Sequence, residues 1–164
     1  MIYLGNYANW IDEKWIDYLL SSEGYPRPSG GKNPDSEEFR QAESVGYDLT
    51  KTYWYIYEPE HLPFKIDPPF PVEGIFLYWF IKMLPGQIMP MHQDPHAIEE
   101  KNSKRFWMPL QDYKPGHVFI YEDELATHYK KGDLFQYDNS HAIHGACNIG
   151  WEPRLIFNFS TYNI

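Results

Sequence analysis

From residue 72 onward, apolar and aromatic stretches of about four to eleven residues alternate with turn-forming residues. The strands this pattern predicts are 74–84, 105–110, 117–121, 126–129, 133–137, 143–148 and 154–161. Their separators are Pro85-Gly86, Lys114-Pro115-Gly116, Glu122-Asp123-Glu124, Lys131-Gly132 and Gly150. No helical period intervenes, so the arrangement predicts a mainly β sandwich, barrel or jelly roll rather than a parallel α/β sheet. Phe76, Tyr78 and Phe80 alternate with Leu77, Trp79 and Ile81, which makes this strand apolar on both faces and predicts burial between two layers.

The first seventy residues have another texture. Trp10, Ile11, Trp15, Ile16, Leu19 and Leu20 recur near a 3.6-residue period, with Asn9 as the candidate cap and Gly24 beyond the end. A second helix is expected to start at Asn33-Pro34, where Asp35, Glu37 and Glu38 suit the positive end. Tyr53 to Tyr57 reads as strand, and Pro59 to Pro71 as a connection too rich in proline for regular structure. The chain is therefore read as one domain, in which residues 1–71 form a helical and proline-rich cover and residues 72–164 the β core. The helices are expected to pack on one sheet.

Composition narrows the function. At 164 residues the chain suits a single domain with a proper core. No apolar run approaches the roughly 20 residues of a membrane span, and the opening residues lack the basic-then-apolar layout of a signal peptide. A formal charge of −9 disfavours a phosphate backbone as partner, so a nucleic-acid ligand is not expected. The single cysteine, Cys147, excludes an internal disulfide, suits a cytoplasmic location, and reads as a small core residue. Aromatic residues make up 18%, which favours strands and lined pockets.

The chemistry lies in the histidines. His61, His117 and His128 stand without an obvious partner and read as structural. His92 and Asp94, two residues apart near a strand end, can offer a nitrogen and an oxygen to one metal. A histidine some fifty residues later completes two imidazoles and a carboxylate, the facial triad of non-heme Fe(II). The distal segment runs Lys131-Gly132-Asp133-Leu134-Phe135-Gln136-Tyr137-Asp138-Asn139-Ser140, then His144-Gly145-Ala146-Cys147-Asn148, then Arg154. No nucleophile elbow, P-loop, dinucleotide fingerprint or zinc cysteine pair accompanies it.

A histidine four residues before an asparagine and ten before an arginine resembles the distal motif of the 2-oxoglutarate/Fe(II)-dependent dioxygenases, most closely the aspartyl/asparaginyl β-hydroxylase group. The resemblance covers roughly residues 75 to 160. It implies a double-stranded β-helix (jelly roll, cupin-like) with His92, Asp94 and His144 as metal ligands. It also implies Arg154 on the distal carboxylate of 2-oxoglutarate, with Arg105 as a further contact to cosubstrate or substrate. On its strand, Tyr78 either packs in the core, the favoured reading, or offers its hydroxyl to bound 2-oxoglutarate. A planar guanidinium suits a carboxylate independently of family, because it donates two parallel bonds. His141 competes with His144, but its spacing to Asn148 and Arg154 fits the motif less well. His96 either lines the pocket or stabilises its loop.

The implied cofactors are Fe(II) and 2-oxoglutarate, with dioxygen as cosubstrate, and the implied reaction couples decarboxylation to hydroxylation of a C–H bond. An amino acid, a short peptide side chain or a small metabolite is the expected substrate, with Tyr53, Trp54, Tyr55 and Tyr57 covering the open side of the barrel. The alternative is a cupin-like metal- or small-molecule-binding protein without 2-oxoglutarate chemistry. Oligomeric state is not legible.

Overall fold

The computed structural model describes residues 1–28, 40, 53–72, 74–92, 103–137 and 142–162. Its strands are β1 (Ile2–Asn6), β2 (Tyr25–Pro28), β3 (Tyr53–Tyr57), β4 (Ile75–Met83), β5 (Ile88–His92) and β6 (Ser103–Pro109). They continue with β7 (His117–Tyr121), β8 (Glu124–Leu125), β9 (Asp133–Tyr137), β10 (His144–Asn148) and β11 (Arg154–Tyr162), and helix α1 spans Glu13–Ser21. Seven strands form one sheet in the order β1-β9-β6-β11-β4-β3-β2, and four form a second in the order β5-β10-β7-β8. From β4 to β11 the chain passes back and forth between β9-β6-β11-β4 and β5-β10-β7-β8, with every pairing antiparallel. That connectivity is a double-stranded β-helix, the jelly roll. Strand β1 extends the larger sheet at one edge, and β3 and β2 at the other. No helix among the described residues is long and apolar enough to cross a membrane.

Strand alternation divides the core into two compartments. On the outer face of the larger sheet, Phe80, Phe106, Met108, Leu155, Phe157 and Phe159 pack beneath α1 through Trp15 and Leu19. Between the sheets lie Trp54, Ile81, Met83, Trp107, Phe119, Tyr121, Tyr137 and Ile156. The proline-rich segment contributes Phe64 and Phe70 to the outer compartment, against Trp15 and Phe106 respectively. Tyr55 and Tyr57 point to that same compartment, while Trp54 enters the barrel core. For Tyr55 and Tyr57 the expectation that they cover the open side of the barrel is corrected: they serve the helix-covered face.

Helix α1 begins three residues later than its periodicity suggests. Ala8–Trp10 is a 3-10 turn, and the Asp12 carboxylate caps α1 by accepting from the Lys14 backbone N–H at 3.0 Å. At the other end, the buried Lys82 ammonium reaches from β4 to donate to the carbonyls of Leu19 and Ser22 at 2.7 and 2.5 Å. A cation there answers the negative helix end. The expected helix at Asn33-Pro34 lies outside the described residues.

Two strand expectations are corrected. Residues 126–129 do not form a strand; the outer neighbour of β7 is the two-residue β8, and His128 adopts φ +63°. Strand β4 is enclosed on both faces only towards its end, since Ile75 and Leu77 are 47% and 49% exposed.

Gly132 ties the N-terminal segment to the barrel. It has φ +81°, and a Cβ there would stand 2.3 Å from the Ala8 nitrogen. The Tyr7 N–H donates to its carbonyl at 2.7 Å. Gly132→Ala is expected to lower the unfolding free energy by more than about 2 kcal/mol, read from the urea midpoint, because strain and a backbone clash act together.

Candidate metal and carboxylate site

Two histidines meet where the sheets face one another. His92 ends β5, His144 opens β10, and the two are direct partners in the antiparallel ladder. Their ring centroids are 4.5 Å apart. The His144 ring is buried, with Tyr137 at 5.6 Å and Phe119 at 6.2 Å between centroids. Burial, reinforced by the neighbouring His92, pushes its pKa down to about 4, so its imidazole is neutral at pH 7.

Backbone carbonyls orient both rings. His92 Nδ1 lies 2.7 Å from the Pro90 carbonyl, and His144 Nδ1 3.4 Å from the Ala142 carbonyl. A carbonyl only accepts, so each Nδ1 carries a proton, and in the neutral ring Nε2 holds the lone pair. Metal-binding imidazoles are held in this way. Asp94, His96 and His141 lie outside the described residues. Among the described residues, Glu58, Glu60 and His61 also bring ligating atoms within 4.8 Å of one another. That group belongs to the turn Pro59–His61, where His61 Nδ1 accepts from the Glu58 backbone N–H at 3.3 Å within a capping box.

Arg154 opens β11 and points into the barrel. It is 2% exposed, with the Trp107 and Phe119 rings each 6.0 Å from its Cζ. Nη1 donates to Met83 Sδ at 3.5 Å, whereas Nε and Nη2 make no hydrogen bond of good geometry, with the Tyr129 hydroxyl beside the guanidinium. Those two nitrogens form the side-on edge of the guanidinium, the edge that grips a carboxylate with two bonds. Phe119 thus stands between Arg154 and His144, contacting both.

Arg105 is also buried in the barrel, stacked on Trp79 at 5.2 Å and donating from Nε to Ser160 Oγ at 3.3 Å. Its charge helps to lower the pKa of His144 and opposes the rise of Tyr137, whose hydroxyl burial pushes up to about 12.

Tyr78 takes its packing role, and its place as a cosubstrate contact is corrected. Its ring belongs to the outer compartment, 6.0 Å from Phe157, and its hydroxyl accepts from the Ile66 N–H at 3.4 Å. It faces away from His92 and His144, because residues of one parity on β4 share one face. Cys147 is likewise corrected: it is half-buried on β10 rather than in the core.

Tyr129 and His117 were not expected at the site. Both are buried, and both feel the Arg154 charge. The signal for His117 was its place in an alternating strand; Tyr129 has none, since its orientation depends on the turn at His128.

No family model matches the chain, and no curated protein matches it. Similar solved structures include the cupin 2 domain of an XRE family transcriptional regulator from Enterobacter cloacae, at 12% identity and TM-score 0.47 over 68% of this chain and 98% of that one. The Schizosaccharomyces pombe Cnp3 cupin domain is similar at 17% identity and TM-score 0.42, over 73% and 74% of the two chains. An uncharacterized conserved protein with a double-stranded β-helix domain from Klebsiella pneumoniae is similar at 20% identity and TM-score 0.40, over 56% and 70%. Likeness at this level carries no chemistry over to this chain.

Proposed function

We propose that the chain is a cupin-like barrel that binds a divalent transition metal through His92 and His144 and a small acid beside it. The observation that carries this reading is the in-register pairing of the two histidines, with both Nδ1 atoms engaged by carbonyls. Asp94, two residues beyond His92, supplies the third donor in this reading. Two imidazoles and one carboxylate suit Fe(II) or Mn(II) and leave coordination positions open. When bound, such a metal supplies Lewis acidity and a place for a ligand oxygen. The chain's own residues do the rest: Phe119 and Tyr137 wall the histidines from water, and Arg154 offers its side-on edge to a carboxylate.

Titrating the metal-free protein with Mn(II) is the direct test. At a hundredfold excess over Kd, linkage gives about 2.7 kcal/mol of stabilisation, a rise of several degrees in Tm. His92→Ala is expected to lose that rise and keep a native circular dichroism spectrum. A wild-type protein indifferent to Mn(II), Fe(II) and Ni(II) would overturn the reading.

A second reading, 2-oxoglutarate-dependent hydroxylation, is favoured by the unfilled Nε/Nη2 edge of Arg154. A dicarboxylate with one end at the metal would bring its other end to Arg154, and the hydroxylated partner is then an amino acid, a peptide side chain or a small metabolite. Metal-dependent release of succinate from 2-oxoglutarate supports this reading over simple binding. Its absence in a protein that binds both Mn(II) and 2-oxoglutarate leaves the binding barrel.

A further inference from the structure

The two sheets of the barrel are finished differently on the outside. The larger one is covered by α1 and the proline-rich segment, through Trp15, Leu19, Phe64 and Phe70. Among the described residues no helix packs on the outer face of β5-β10-β7-β8. An antiparallel sheet with one solvated face ordinarily shows polar residues there. Here the outward positions are apolar. Phe119, Tyr121 and Ala146 point into the barrel, so Val118 and Ile120 of β7 and Gly145 and Cys147 of β10 point out. Leu125 of β8 stands opposite Ile120 and shares its face. Met91 joins them from β5, since its Sδ lies 2.8 Å from the place a Cβ on Gly145 would take.

We propose that this face is the surface through which two copies of the chain associate, sheet on sheet, about a two-fold axis. Met91, Leu125, Ile143 and Ile149 are between 48% and 72% exposed. Together with Val118, Ile120 and Cys147 they present apolar area on the order of the 800 Å² per partner that a standard interface buries. A continuous apolar surface of that size marks an interaction site rather than an ordinary solvated face.

Charge selects a second copy as the occupant. At a formal charge of −9, two copies repel one another through most of their surface. This face is spared, because none of its outward positions named above carries charge. Acid begins at the rim, in the exposed turn Glu122-Asp123-Glu124 at one end of β7. A two-fold axis lying in the interface and crossing the strands sets β7 antiparallel to its counterpart, which holds the two acidic turns at opposite ends. A partner of different chemistry would need polar anchors to be recognised, and the centre of the face offers none. Symmetric self-association needs only a self-complementary patch and is the commonest course for soluble chains. The inference goes beyond the metal reading and does not depend on it. The two meet at β5, an edge strand in which Met91 directly precedes His92, so a partner seated on Met91 also steadies the strand that carries His92.

Sedimentation equilibrium of the full chain tests this. Wild type is expected to be a dimer at about 50 μM, since standard-size interfaces hold from the micromolar range downwards. Ile120→Lys sets a charge at the centre of the face and is expected to weaken association a hundredfold or more while keeping a native circular dichroism spectrum. Leu125→Lys, on the exposed edge strand β8, repeats the test if Ile120→Lys fails to fold. Leu4→Lys alters an exposed leucine on β1, in the other sheet, and is expected to leave the dimer intact. Cys147 is the chain's single cysteine and lies on the face, so its labelling by a disulfide reagent should slow as wild type associates. A wild type that is monomeric at that concentration overturns the proposal. So does a dimer that Leu4→Lys dissociates and the two face variants do not, or one whose formation leaves Cys147 labelling unchanged.

Discussion

Arg154→Met is expected to make the ligand-free protein more stable and, in the same step, to weaken the proposed binding of carboxylates strongly. The guanidinium is buried among Met83, Trp107, Phe119 and Tyr129, and two of its three nitrogens make no hydrogen bond of good geometry. Removing an ion from water costs several kcal/mol, and here nothing charged among its contacts offsets that cost. Methionine has similar length and packs with the same neighbours, so the unfolding free energy should rise by about 1–4 kcal/mol. The carboxylate loses a charge-assisted bidentate contact, which weakens binding by about 2–5 kcal/mol. Urea denaturation measures the first effect and calorimetry with 2-oxoglutarate the second. A fall in stability would mean that Arg154 is satisfied in the free protein and serves the fold.

Acid should unfold the metal-free protein earlier than its carboxylates alone would. His144 has a folded pKa of about 4 against an unfolded value near 6.5, so the folded state binds fewer protons in between. Its contribution is complete above about pH 6.5 and is lost progressively as the pH falls towards 4; a difference of this size is worth about 3 kcal/mol. His117, also lowered by burial, acts with the same sign. Protons and a metal compete for the same His144 nitrogen, so Mn(II) stabilisation should fade as the pH approaches 4. Urea midpoints measured every half pH unit check it. In His144→Gln the fall between pH 6.5 and 4 should be markedly smaller; an unchanged slope would show that His144 is not buried as a neutral ring.

The elements that sequence pattern located best are those where one face is plainly core. Strands β7 and β9 have the bounds that their flanking turn residues predict, and β7 alternates strictly between buried and half-buried positions. Strand β5 escaped notice because Pro90 interrupts it, and proline is tolerated there because β5 is the edge of its sheet. Strand β1 escaped for a related reason: Ile2, Tyr3 and Leu4 are all exposed on an edge, so no alternation marks them. Alternation also assigns residues to faces without saying which face looks into the barrel, and Tyr78 went to the wrong side on that account. For the site, the spacing around His92 and His144 carried enough information to single out two residues that the fold sets side by side. Tyr129 was out of reach, because a left-handed turn at a histidine leaves no trace in hydrophobic pattern.

Strand β11 presents Leu155, Phe157 and Phe159 to the helix and Arg154 and Ile156 to the barrel. Its neighbours β4 and β6 hold it in register along nearly its whole length. Insertion or deletion of a single residue within it would exchange the two sets, driving a guanidinium under α1 and phenylalanine rings towards the histidines. The strand therefore tolerates substitution far better than any change of length. Descendants of this chain should keep the count from residue 154 to residue 162 unchanged.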